Sequence, residues 1–352
     1  MDLKPYFKRR EHISMTPAVI VGAYSIDRNR NYQDGLKNLK YLKIPKEINF
    51  DLNQGLYIDK PELDIRERLH QLTSFIMHNS KDVIKEKKVD ADFVCFRGVL
   101  RYLLETPYNG KQAWEIDAVK YKGTIYMCLL PSQEQIRYQN NENSETRKFR
   151  QYGYKFESYL MADHPQRNPK GSTEPVYEAE EFNVVMSRSI NGLKLIFANE
   201  IDGVKSDHVI TSVEELKQVP LVEVKSRREE HHLNKFKTLA WYCQSAVTDL
   251  FDIYVGIRNF EGIVTDIKLI NIKEIAKEQT KHFGWEISVC KNFLKNFLNE
   301  VKNDTKNVDD AHVVFRYSWD PNIQQQTVNL DLLYSTNFLP KQFIDFMESL
   351  NE

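Results

Sequence analysis

Asn191-Gly192 separates two apolar runs, residues 181–190 and 193–200, with nothing between them but the turn itself. Asn-Gly is a favoured pair for a two-residue turn, because both positions need positive φ and these residues tolerate it best. The two runs are thereby committed to pair as antiparallel neighbours. Lys122-Gly123 makes the same case for strands at 112–120 and 124–130, and Glu261-Gly262 for 252–259 and 263–270. Shorter β-prone stretches are predicted at 91–97, 220–227, 312–317 and 326–333. Apolar residues at helical spacing predict a helix after Pro61 (Ile65, Leu69, Leu72, Ile76). Others are predicted at 147–161, 233–248 and 286–302, with a last one from Pro340, and Ser212 with Glu215 forms a capping-box pattern. Hairpins outnumber βαβ units, so the expected fold is α+β, with mixed, mostly antiparallel sheets flanked by helices. No internal repeat and no Gly/Ser linker interrupts the chain. A single domain over residues 1–352 is expected, with 1–60 a loop-rich periphery broken by Pro5, Pro17 and Pro45, and 132–148 a polar loop.

The 49 Lys and Arg offset 50 Asp and Glu to a net charge of −1, which excludes a wholesale basic surface. At 41% hydrophobic the chain of 352 residues can bury a core, so disorder is excluded as well. Cys95, Cys128, Cys243 and Cys290 lie far apart with no CxxC pair, so neither a disulfide framework nor a zinc knuckle is expected. The opening MDLKPYFKRREH lacks the apolar core of a signal peptide, and no run approaches the ~20 apolar residues of a membrane span. The expectation is an intracellular, reduced, soluble protein with no membrane partner. Lys8-Arg9-Arg10 is too short to serve as a localisation signal. GxxxxGK, GxGxxG, HExxH and GxSxG are all absent.

What remains is a set of acids in the middle of the chain. Glu200-Ile201-Asp202 ends one predicted strand, and Glu223-Val224-Lys225 sits within another. Residues i and i+2 of a strand share a face, so Glu200 pairs with Asp202 and Glu223 with Lys225. If the strands are neighbours, three carboxylates and one ammonium converge. Gathered carboxylates need a cation to relieve their repulsion, and hard cations such as Mg²⁺ want oxygen ligands. Lys225 can then neutralise a phosphate oxygen as charge builds. The plain alternative for ExK is a solvated strand face, but the flanks LIFANEID and PLVEVK are apolar and argue for burial.

Other residues could complete the group. Glu157 follows aromatics on the 147–161 helix, and its alternative is an exposed surface position. Gln244 borders a largely apolar stripe, where it could instead bond backbone. Arg97 closes the apolar strand 91–97, either in a structural ion pair or as a planar fork for phosphate. His231 and His232 sit among charged residues and read as solvated loop. Lys225–Lys237 carries five Lys and Arg against two acids, a mild positive bias beside the acids.

Phe96-Arg97-Gly98, Gly153-x-Lys-Phe-Glu157, Glu200-x-Asp202, Glu223-x-Lys225 and Trp241-x-x-Gln244 occur in this order. In order and spacing they resemble the DXO decapping and exoribonuclease family, whose fungal members include the partner protein of a nuclear 5′→3′ exoribonuclease. The likeness runs from about Val19 to Pro340. It implies a metal-dependent nuclease core in which Glu157, Asp202, Glu223 and the Val224 carbonyl hold one or two Mg²⁺ or Mn²⁺ ions, with Glu200 acting mainly through a water of the metal and the substrate. It implies further that Lys225 and Gln244 contact the scissile phosphate, and that Arg97 with the Phe96–Gly98 backbone contacts the next phosphates. Arg30 and Glu67 match positions that touch substrate; Asn183 falls at such a position but differs in type. The implied function is hydrolysis at RNA 5′ ends, releasing pyrophosphate or an incomplete or NAD cap and leaving a 5′-monophosphate, in the nucleus or the cytoplasm. Two alternatives stand beside it: a DNA nuclease of the acid…ExK type, and a non-catalytic partner that stabilises the exoribonuclease.

Overall fold

The structure is a computed structural model of the chain, describing residues 11–61, 67–109, 112–131, 136, 143–228, 234–321 and 328–350. Ile65, His231, His232 and Lys8-Arg9-Arg10 lie outside the described residues, as does most of the 132–142 stretch.

The hairpin at Asn191-Gly192 forms as its turn chemistry dictates. Strands Glu181–Ile190 and Leu193–Glu200 pair antiparallel from Ile190↔Leu193 to Asn183↔Glu200, with φ of 50° at Asn191 and 87° at Gly192. They lie within a nine-stranded sheet. Val19–Ile26 flanks them on one side; Phe93–Phe96, Thr124–Leu130 and Trp114–Tyr121 follow on the other. Phe93–Phe96 runs parallel to both of its neighbours, and every other pairing in this sheet is antiparallel. The central strands are buried on both faces, as their continuous apolar runs require. Leu195 and Phe197 point into one core cluster, against helices Arg97–Glu105, Lys235–Thr248 and Ile287–Asp304. Ile196 and Ala198 point into a second, against His70–His78 and Lys341–Ser349.

A seven-stranded sheet lies alongside, and the chain passes into it immediately after Glu200. Gly203–Val204 pairs antiparallel with Leu221–Arg228, which pairs parallel with Asp252–Arg258 across the helix Lys235–Thr248. Helix Ser144–Leu160 covers the outer face, burying Tyr152, Phe156 and Leu160 one turn apart against Val222, Val224 and Val264. This is the mixed α+β arrangement expected.

Three expectations need correction. Residues 1–60 are not only a loop-rich periphery: Val19–Ile26 is an eight-residue strand in which Tyr24 and Ile26 are buried. Gly22 sits at an irregularity in its pairing, where a Cβ would meet the Phe75 ring at 2.5 Å. Arg97 does not close a strand but begins helix Arg97–Glu105, so the apolar run changes from period 2 to period 3.6 at Phe96. Helix Ile272–Phe283 was not anticipated. The four cysteines are buried and free. Among the described residues no helix is long and apolar enough to cross a membrane.

Candidate active site

The passage from one sheet to the other makes the site. Glu200 ends its strand, Ile201 is buried, and Gly203 pairs with Val222, so Glu200 and Asp202 stand at the seam. The Val224 N–H donates to a carboxylate oxygen of Asp202 at 2.6 Å, which fixes that side chain against the next strand. Glu223 and Lys225 share the face of their strand that looks toward Gln244. Oε1 of Glu223 accepts from Lys225 Nζ at 2.7 Å and from the Gln244 side-chain amide at 2.6 Å, and its other oxygen accepts from Arg97 at 3.1 Å. Gln244 is placed by a helix capped at Asn234, whose side chain accepts from the Lys237 N–H. Arg97 is placed by the first turn of its own helix, which begins at Phe96 with no side-chain cap.

Glu157 comes in from the helix Ser144–Leu160. The preceding residue, Phe156, is fully buried over Gly256 of strand Asp252–Arg258, where an added Cβ would meet the ring at 2.5 Å. Glycine is required there because the helix lies so close to the sheet. The sequence groups Glu157, Glu200, Asp202, Glu223, Lys225, Arg97 and Gln244 are therefore brought together. Phe96 and Gly98 flank Arg97 at the helix start, and Phe96 lies in register with Ala198.

Arg30, Glu67 and Asn183 form an adjoining set around a carboxylate the sequence reading missed. Arg30 binds both oxygens of Glu67 at 3.1 Å and donates to Glu181 at 2.6 Å. Lys60 also donates to Glu181, and Asn183, directly opposite Glu200, donates to its other oxygen. Glu181 was legible only as the acid two residues before Asn183 at the mouth of an apolar strand.

The electrostatics divide these acids. Burial raises Glu223, but Lys225 and Arg97 outweigh it and hold its carboxyl down to about 2. Burial and the charge of Glu223 push Asp202 up to about 7 against the pull of Lys225. Burial, Glu181 and Asp202 push Glu200 up to about 8, although its side chain stays open to the cleft. Glu157 is raised well above the usual carboxylate range by burial, then by Asp202, Glu200 and Glu223. Such carboxyls hold protons unless a cation replaces them.

Glu157, Glu181, Glu200 and Asp202 line one cleft of about 230 Å³, many times the space one water needs. Among the described residues no three ligand side chains already meet around a single point. Lys225 and Arg97 hold the oxygens of Glu223 instead. The donor set of Glu157, Glu200, Asp202 and Glu223 is nonetheless all carboxylate oxygen. That chemistry fits a hard divalent cation and not a soft one.

The comparisons with known proteins identify the family and the fold. A family model described as RAI1 like PD-(D/E)XK nuclease matches residues 17–344. The decapping and exoribonuclease protein of Xenopus laevis is 27% identical over 347 residues, covering 92% of this chain and 84% of that protein. Among solved structures, Candida albicans Rai1 in complex with pU5-Mn2+ superposes with a TM-score of 0.80 at 20% identity, over 98% of both chains. Scheffersomyces stipitis Rai1 in complex with (3'-NADP)+ and calcium ion gives 0.81 at 19% identity, over 97% of both. Acids from the seam of two sheets, a lysine on the central strand and a family match across nearly the whole length agree: the chain belongs to the RAI1-like PD-(D/E)XK nuclease family.

Proposed function

We propose that the chain is a divalent-cation-dependent hydrolase of RNA 5′ ends. It removes pyrophosphate from a 5′-triphosphate, or an incomplete or NAD cap, and leaves a 5′-monophosphate. The observation that carries this reading is the contact of Asp202 with the Val224 N–H, which sets the acids of one sheet against the Glu223–Lys225 strand of the other. The decapping and exoribonuclease relative supplies the substrate class. Glu157, Glu200, Asp202, Glu223 and the Val224 carbonyl would hold one or two Mg²⁺ or Mn²⁺ ions. Such ions, when bound, supply an activated water and neutralise phosphate charge.

The chain's own groups do the rest. Lys225 and Gln244 exchange their hold on Glu223 for the non-bridging oxygens of the scissile phosphate. Arg97, with the free N–H groups of the first helical turn at Phe96–Gly98, receives the next phosphates. Arg30, Glu67 and Asn183 set the position of Glu181 and with it one wall of the cleft where substrate lies. The whole of residues 1–352 acts as one domain in this reading. Water adds to the phosphorus, the cap or pyrophosphate leaves, and the 5′-monophosphate product is what a 5′→3′ exoribonuclease consumes. This product chemistry supports a place in mRNA 5′-end quality control, in the nucleus beside such an enzyme.

The test is release of pyrophosphate from 5′-triphosphate RNA with Mn²⁺. The folded Glu200→Ala, Asp202→Ala double variant is expected to lose at least about a hundredfold in rate. Undiminished turnover refutes the assignment, and faster cleavage of duplex DNA than of single-stranded RNA refutes the substrate.

A further inference from the structure

Strand Leu221–Arg228 does not stop where the acids stop. Glu223, Lys225 and Arg227 alternate onto one face, and Arg227 lies about 7 Å beyond Lys225. Arg228 follows on the other face, in register beside Arg258 of the neighbouring parallel strand. Lys237, exposed in the first turn of the helix that carries Gln244, completes the group. Partial burial, then Arg258 and Arg227, push the Lys237 pKa down, which places Lys237 within electrostatic reach of both arginines.

Arg258 is the unusual member. It is only 8% exposed, yet among the described residues its one hydrogen bond is a long one, 3.4 Å to the Asn259 carbonyl, against five donors to satisfy. Its guanidinium sits 4.9 Å from the ring centres of both Phe149 and Tyr152. The groups acting on its charge are Tyr152 and Arg228, with no carboxylate among the described residues. A guanidinium this deep ordinarily has an anion to hold. Large rings lie beside it at the surface. Phe260, beneath the Arg228 guanidinium at 5.3 Å, is 65% exposed, and Phe149 is 39% exposed. Cations interleaved with open aromatic faces suit single-stranded nucleic acid, whose phosphates meet the cations while its bases stack on the rings. An acidic peptide would use the cations and leave the rings idle.

We propose that this end of the second sheet, formed by Arg227, Arg228, Lys237 and Arg258 with Phe149 and Phe260, is a track for the single-stranded RNA downstream of the 5′ end held at the acids. The inference rests on the reading above and specifies how the same site grips a long substrate. Arg227 shares a strand with Lys225, and Lys237 stands two turns from Gln244 on one helix, so track and site are continuous.

The measurement is fluorescence anisotropy of the full chain with 5′-monophosphorylated oligouridines about three and about twelve nucleotides long, with Ca²⁺ present. The wild type is compared with Lys237→Gln/Phe260→Ala, both positions being exposed so that folding is kept, and with Arg258→Gln. The wild type is expected to bind the longer RNA at least about tenfold more tightly, and the double variant to lose most of that advantage. Its salt dependence should be shallower by about 0.7, the value of one phosphate contact on a single strand. Arg258→Gln should cut the same length advantage. A double variant that keeps the advantage overturns the proposal. So does equal weakening toward both lengths, or displacement of the longer RNA by polyglutamate as readily as by unlabelled RNA. The parent reading is judged separately, by wild-type turnover of 5′-triphosphate RNA.

Discussion

The side-chain amide of Gln244 donates to Oε1 of Glu223 across 2.6 Å, joining the crossover helix to the strand it leaves. Gln244 is 9% exposed and Glu223 6%, so the bond is shielded from water, and it shares Oε1 with the Lys225 ammonium. Gln244→Leu keeps the volume and removes the donor. It is expected to cost about 1–2 kcal/mol in urea unfolding and at least about tenfold in pyrophosphate release. Unchanged turnover in a folded Gln244→Leu would exclude it from the phosphate contact.

Asp202 tests the cation. Its carboxylate is held by the Val224 N–H and stands among acids whose repulsion a divalent ion would relieve. Asp202→Asn keeps the shape and removes the charge, so Mn²⁺ affinity, read from the free-ion EPR signal, should fall at least about tenfold. Equal affinity in the variant would place the ion elsewhere.

Asp163 gives a pH dependence with a defined sign. Burial raises it, but hydrogen bonds and charges of Lys170 and Lys40 at the cleft rim outweigh that and lower it to about 2. A depressed folded value means the unfolded chain takes up the proton first on acidification. The ion pairs therefore stabilise the fold above about pH 4, and the contribution is lost as pH falls to about 2. At 34% side-chain exposure solvent screens the pairs, which leaves about 1 kcal/mol. Thermal melts of wild type and Asp163→Asn should differ at pH 6 and converge toward pH 2. A gap that widens with acid would contradict the assignment.

Arg30 is a fork that lysine cannot replace. It spans Glu67 with two bonds and reaches Glu181 and the Ala179 carbonyl, with its side chain only 8% exposed. Arg30→Lys keeps the charge and loses the planar geometry, at an expected cost of about 1–3 kcal/mol in urea. Because Glu181 lines the cleft, KM for RNA should rise more than kcat falls. A variant as stable as the wild type would show that the pairing is incidental.

Local chemistry made much of the fold readable. Asn191-Gly192 marked its hairpin to the residue, since this pair best tolerates the two positive φ values of a tight two-residue turn. Glu200, Asp202, Glu223 and Lys225 were legible for a similar reason: charges inside apolar strands are costly without partners. What stayed hidden depended on distant contacts. The strand Val19–Ile26 was passed over among Pro5, Pro17 and Pro45, and the ring that packs on its Gly22, Phe75, is fifty-three residues away. Arg97 was read as a strand end because one apolar run served two elements. Ser212 did cap its helix, accepting from the Glu215 N–H, but the Glu215 carboxylate turned to Thr211 instead of back to Ser212. Glu181 gained its meaning only from Arg30 and Lys60, which no spacing along the chain connects.

Phe156 pressed onto Gly256 has one more consequence. The ring leaves room at that point for glycine's hydrogen and not for a Cβ, and Glu157 is the next residue along. A single methyl at position 256 would lever the helix outward and carry the carboxylate with it, although it touches neither ion nor RNA. The bore of the catalytic centre is thus gauged from behind, by the smallest side chain available.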